Sequence, residues 1–129
     1  FEKYISRLNE EIKDYEKNKN LELFVQKFQK YLELLNNFTS WISEKDKISK
    51  EDVSAACNDY LKVFGYISLA HSWLKILKVS YEKFDQNKNF FEDKINTATY
   101  YFDKILPRAQ SHYLSAITGS NGLMKTKFN

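Results

Sequence analysis

From Val53 onward, Ala56, Tyr60, Val63, Ile67, Ala70, Leu74, Leu77 and Tyr81 recur three or four positions apart without a miss. That is the period of one face of an α-helix, and the two-residue repeat of a strand does not reproduce it. Leu61, Phe64 and Trp73 add a second apolar strip, which predicts a helix enclosed on more than one side. Its start is marked by Ser49-Lys50-Glu51-Asp52. The serine hydroxyl is suited to an N-cap, and the carboxylates that follow meet the positive end of the helix dipole. A segment this long and this regular demands partners of the same kind around it.

The rest of the chain supplies three such partners. Phe1, Ile5, Leu8, Ile12 and Tyr15 predict a helix over 1–17, ended by Asn18-Lys19-Asn20, with Asn20 as the N-cap of the next. Phe24, Phe28, Tyr31, Leu35, Phe38 and Ile42 form one stripe, widened by Leu21, Val25 and Leu32, and predict a helix over 20–43 that fades in the charged run Ser43 to Lys47. The long helix occupies 50–83, and Lys83 to Asn87 reads as a turn. Asn89 with Glu92 has capping-box spacing, and Phe91, Ile95, Ala98, Phe102 and Ile105 lead a fourth helix over 89–118. Its course crosses the only proline, Pro107, which has no N–H for the carbonyl of Asp103 and restricts Leu106. Ala109, Tyr113, Ala116 and Ile117 continue the pattern to Gly119, the predicted stop, with a tail 119–129 whose Leu123, Met124 and Phe128 are able to fold back. The expected architecture is an all-α, four-helix up-down-up-down bundle of residues 1–118, with its last helix kinked or broken near Pro107. Gly65, mid-helix, is expected at a close helix crossing, the alternative being a glycine tolerated at about 1 kcal/mol against alanine.

Composition narrows the function classes. At 129 residues the chain is one domain with an adequate core of its own. Its one cysteine, Cys57, has no partner for a disulfide within the chain, which points to a reducing, cytoplasmic setting or an inert buried thiol. The net charge is +3, acidic and basic residues are interleaved, and Arg7 and Arg108 are the only arginines. That is not the footprint of a nucleic-acid binder. No apolar run approaches the roughly 18 residues of a membrane span. The chain begins at Phe1 inside a helical pattern and reads as a piece of a longer polypeptide.

No catalytic, cofactor-binding or metal-ligating residue is assigned. A bundle di-iron site needs Glu-x-x-His on two helices, but Ser68 and Ala109 stand three residues before His71 and His112. No nucleophile signature is visible, and three glycines do not make a phosphate loop. Asp59 and Asp103, in apolar helices, are expected in ion pairs or hydrogen bonds, with Arg108 a candidate partner for Asp103. Aromatics make up 16% of the chain. Tyr60, Tyr66, Tyr100, Tyr101 and Tyr113 fit a core whose polar tips reach the surface; the alternative is that some of them form an interface, for which Tyr66, Tyr101, Arg108 and Tyr113 are the candidates, since aromatics and arginine are enriched at contact centres.

Two stretches carry a family resemblance: Asp59-Tyr60-Leu61-Lys62-Val63-Phe64-Gly65-Tyr66-Ile67-Ser68-Leu69-Ala70-His71-Ser72-Trp73, and Tyr101-Phe102-Asp103-Lys104-Ile105-Leu106-Pro107-Arg108 with the Ile117-to-Met124 segment beyond it. In order and separation they resemble the small helical domain at the C-terminus of some bacterial acyl-CoA dehydrogenases, the type called acetyl-CoA dehydrogenase C-terminal-like. This chain is richer in Lys, Asn and aromatics than the family's Ala- and Arg-rich members. The resemblance implies an FAD-dependent parent enzyme of fatty acid metabolism in which a glutamate removes the α-proton of an acyl-CoA and FAD accepts the β-hydride, both on upstream domains. None of those motifs falls on a residue of this sequence. For this chain it implies a non-catalytic domain that supports docking on the parent's catalytic domains and a second subunit. The alternative is a module for a membrane surface or a protein partner.

Overall fold

The structure is a computed structural model that describes the backbone of residues 2–128 and the side chains of residues 2–118. Five α-helices follow in order: α1 (Glu2–Tyr15), α2 (Glu22–Asp46), α3 (Lys50–Glu82), α4 (Lys88–Tyr100) and α5 (Arg108–Phe128). Short 3₁₀ turns at Lys19–Leu21 and Phe84–Gln86 join α1 to α2 and α3 to α4, and one turn of π-helix, Tyr101–Ile105, joins α4 to α5. Among the described residues there is no strand, so the all-α expectation holds.

The caps show where local sequence chemistry prevails. Ser49 is extended and its hydroxyl accepts from the Asp52 N–H at 3.3 Å, as its position before two carboxylates predicts. The other two predicted caps shift. Asn18, not Asn20, accepts a backbone N–H, and it caps the 3₁₀ turn rather than α2, which starts at Glu22 with no side-chain cap. Asn87, not Asn89, caps α4 by accepting from Phe90 N–H at 3.3 Å. In both cases an asparagine two positions earlier reaches the free donors first, because the intervening residues are already coiled. The run Ser43 to Asp46 stays helical instead of fading, since lysine and glutamate are themselves good helix formers.

The proline reorganises one turn. Leu106 N–H bonds to Tyr101 carbonyl at 2.8 Å, five residues back instead of four, and Ala109 and Gln110 then bond three back, to Leu106 and Pro107. The π turn inserts one extra residue before Pro107, and the register of the apolar stripe slips with it. The predicted stripe ran from Phe102 to Ile105. The structure instead buries Leu106 completely, leaves Ile105 half-buried, and turns both Tyr101 and Phe102 inward. Beyond it, α5 does not stop at Gly119: the backbone remains helical to Phe128, because glycine weakens a helix by only about 1 kcal/mol unless it turns left-handed. The side chains of Leu123, Met124 and Phe128, expected to fold back, lie outside the described residues, as does Phe1.

The core gathers on α3. Ala56, Val63, Ile67, Ala70, Leu74 and Leu77 are all 0–2% exposed and face Leu8, Ile12, Val25, Phe28, Leu35, Phe38, Phe102 and Leu106. Along α1 and α3 contacts advance together: Tyr4 stacks on Phe64 with centroids 5.6 Å apart, Glu11 meets His71, and Asp14 meets Lys78 at 3.2 Å. Along α2 and α3 they run in opposite order, Phe28 lying by His71 and Phe38 by Tyr60. Opposite order holds again from α3 to the last helices, with Tyr66 against Tyr101 and Asp59 against His112.

Candidate docking surface

The four residues expected at an interface divide into two groups. Tyr101 is only 6% exposed, and its hydroxyl donates to the Tyr66 carbonyl at 2.5 Å. Burial, and secondly the neighbouring Tyr66 phenol, push its ionisation well above the ordinary tyrosine range. It belongs to the core. The other three keep an outward component. Tyr66 is half-buried and stacks on the His112 ring at 5.9 Å, Tyr113 is half-buried edge-on to Phe38 at 5.2 Å, and Arg108 is exposed at the start of α5.

The titratable residues are used in pairs between helices. His71 meets Glu11 of α1, and His112 Nδ1 lies 2.9 Å from Asp59. Asp103 is met by Lys27 of α2 at 2.5 Å, which replaces the expected partner Arg108. The π turn reorients this part of the chain, and Lys27 approaches from a helix that no local pattern links to Asp103. The Tyr60 hydroxyl lies 2.8 Å from Thr39 Oγ1. Because the Thr39 proton is already given to the Leu35 carbonyl, also at 2.8 Å, Tyr60 is the donor. No group of three or more His, Cys, Asp or Glu side chains is placed to hold a metal among the described residues. Cys57 is exposed, which corrects the expectation of a buried thiol; position 57 follows Ala56 by one and so points away from the core stripe.

What remains is an apolar surface. On the outer side of α3, Leu61 is 69%, Leu69 54%, Val79 44% and Ile76 37% exposed. Phe64 and Trp73 of the predicted second strip do pack on the core, but Leu61 does not, so the helix is enclosed over part of its girth only. Gly65 lies outside any close crossing: a Cβ built there meets nothing within 4 Å. The expected neighbour is absent because the other described helices crowd onto the inner face. At its C-terminal end the outer side of α3 borders α4 across an open groove of about 380 Å³, with Ile76 and Val79 on one wall and Phe90 and Phe91 on the other. Leu69, Ile76 and Val79, apolar and off the main stripe, carry the signal that would have revealed this surface, but the second strip drawn through Leu61, Phe64 and Trp73 passes them over; the groove itself needs α4 in place.

Among the described residues no helix is long and apolar enough to cross a membrane. Compared with known families, residues 8–127 match the sequence model described as acetyl-CoA dehydrogenase C-terminal like. No curated protein and no solved structure matches the chain.

Proposed function

Because the chain belongs to the acetyl-CoA dehydrogenase C-terminal-like family, we propose that it is the non-catalytic helical domain of a larger FAD-dependent acyl-CoA dehydrogenase, where it supports docking of domains and assembly of subunits. The observation that carries the reading is the outer side of α3, where Leu61, Leu69, Ile76 and Val79 stay exposed although the core beneath is complete. Covering the apolar area that these side chains still expose gains about 25 cal/mol per Å², so the surface favours a partner. Tyr66 and Tyr113, with Arg108 nearby in sequence, are proposed contacts at the α3 and α5 side.

The residues present do not fit FAD. An open groove of about 680 Å³ between α1 and α2 is lined by Glu2 and Glu44, whose carboxylates oppose a pyrophosphate, and the groove between α3 and α4 is small for a dinucleotide. In this reading the flavin, the base and the acyl-CoA belong to the parent's other domains, and the setting is cytoplasmic. The test is to express the parent with and without residues 1–129 and compare oligomeric mass and turnover. Loss of the assembled form on truncation is expected; unchanged assembly and activity would overturn the reading.

A membrane-surface role is the second reading, favoured by the lysines Lys62, Lys75 and Lys94 placed beside exposed Leu61, Ile76 and Phe90. Co-sedimentation with anionic vesicles at low salt tests it, and a wholly unbound protein removes it.

A further inference from the structure

The groove between α3 and α4 differs from the others in charge. Lys75 and Lys94 stand on its lining beside Ile76, Val79, Phe90 and Phe91, and no carboxylate lines it. Three other open grooves each carry at least one carboxylate: Asp14 and Glu82 below α1, Glu2 and Glu44 between α1 and α2, and Glu33 beside α5. Among these four grooves, apolar walls and lysines without a carboxylate on the lining coincide at this one. Lys94 Nζ lies 5.3 Å from the centre of the Phe90 ring, which keeps its ammonium beside a lining residue of the groove. The Phe90 and Phe91 rings meet edge to face at 5.2 Å, and that contact fixes the α4 wall.

We infer that this groove is the docking site for an amphipathic helix of a partner segment whose apolar ridge is flanked by carboxylates. The inference rests on the assembly reading above and specifies the kind of segment that assembly engages. A channel between two helices accepts the side-chain ridge of a third, with apolar residues at one-turn spacing entering between Ile76 and Val79 on one side and Phe90 on the other. Carboxylates along the flanks of that ridge come opposite Lys75 and Lys94. Such exposed pairs add little affinity but select partner and register, because a lysine-flanked ridge would place like charges together. The concavity favours a helix over a lipid surface. Insertion into a bilayer needs apolar residues standing beyond the lysines, whereas Ile76 and Val79 form a wall with more than half of their surface already covered.

The test uses the 129-residue chain and two designed helical peptides of about five turns, one with a leucine ridge flanked by glutamates and the other with the same ridge flanked by lysines. Binding is followed by nuclear magnetic resonance shifts of the Ile76 and Val79 methyl groups and the Phe90 and Phe91 amides. The glutamate peptide is expected to move these signals and to bind about tenfold more tightly than the lysine peptide. The double variant Lys75→Glu, Lys94→Glu, with unchanged helical circular dichroism, is expected to reverse the preference. Equal binding of both peptides, shifts confined to another groove, an unreversed preference in the double variant, or binding to phosphatidylglycerol vesicles but to neither peptide would each overturn the inference. Truncation of the parent reads assembly separately: a groove that fails this test in a parent that still needs residues 1–129 would mean that another face docks.

Discussion

Leu74 and Leu77 of α3 are wholly buried, whereas Leu69 and Ile76 on the same helix, within two turns of them, remain 54% and 37% exposed. The residue types do not differ; what differs is whether another helix of this chain lies opposite. On the inner side α1, α2 and the last helices converge, and the burial of each leucine contributes its full transfer free energy. On the outer side the same chemistry has only α4 as a neighbour, at one end. Apolarity by itself therefore does not define the core of a helix that is apolar on both sides. The uncovered face is the part of α3 whose stabilisation is still to be gained in association.

The largest expected effect tests the inner face. Leu74→Ala should cost about 2–5 kcal/mol by denaturant unfolding, because the site is sealed and collapses poorly around a cavity. A loss below 1 kcal/mol would mean that the two faces are not as different as their burial implies.

Tyr101→Phe removes a buried donor from the Tyr66 carbonyl and should cost about 1 kcal/mol. It should also change the alkaline limb of stability. Tyr101 holds its proton more tightly folded than unfolded, so its contribution is complete below about pH 10 and is lost as pH rises further. Tyr15, Tyr31 and Tyr81 are shifted in the same direction by burial. The phenylalanine variant should accordingly lose stability less steeply above pH 10 without becoming flat, and a slope identical to that of the parent chain would contradict the buried placement.

Gly65→Ala should stabilise the isolated chain by about 0.5–1 kcal/mol, since the added methyl meets nothing within 4 Å and the helix gains backbone rigidity. In the parent enzyme the same methyl would weaken assembly if a partner backbone approaches there, so opposite signs in the two settings would sharpen the contrast between the faces.

Leu69→Ala, the smallest effect, should move the isolated chain by no more than about 0.5 kcal/mol, as surface substitutions do. A cost comparable with that of Leu74→Ala would show that the outer face is already covered.

Much of this fold is written locally. The three-four spacing marks the helical segments, though it reads α4 and α5 as one helix, and Ser49 starts α3 where its hydroxyl and the following carboxylates predict. The candidate site was legible only in outline. Tyr66, Arg108 and Tyr113 keep outward positions, but Tyr101 turns inward because the π turn before Pro107 adds a residue to the helix, and a fixed-period stripe has no term for that. The meeting of Lys27 with Asp103 spans 76 positions and that of His71 with Glu11 spans 60, separations at which no spacing rule operates.

The sequence alone determined that this chain is helical, where its main segments lie, which family it resembles, and that α3 is apolar on more than one side. Periodicity and propensity act over a few residues, and they suffice for those conclusions. Only the tertiary structure decided that the second apolar side of α3 stays largely uncovered, which carboxylate each histidine meets, and that Ile76, Val79 and Phe90 share a groove edged by lysines. The hydrophobic effect rewards the removal of apolar area from water and not any particular neighbour, so the choice between two apolar faces falls to the packing of distant helices.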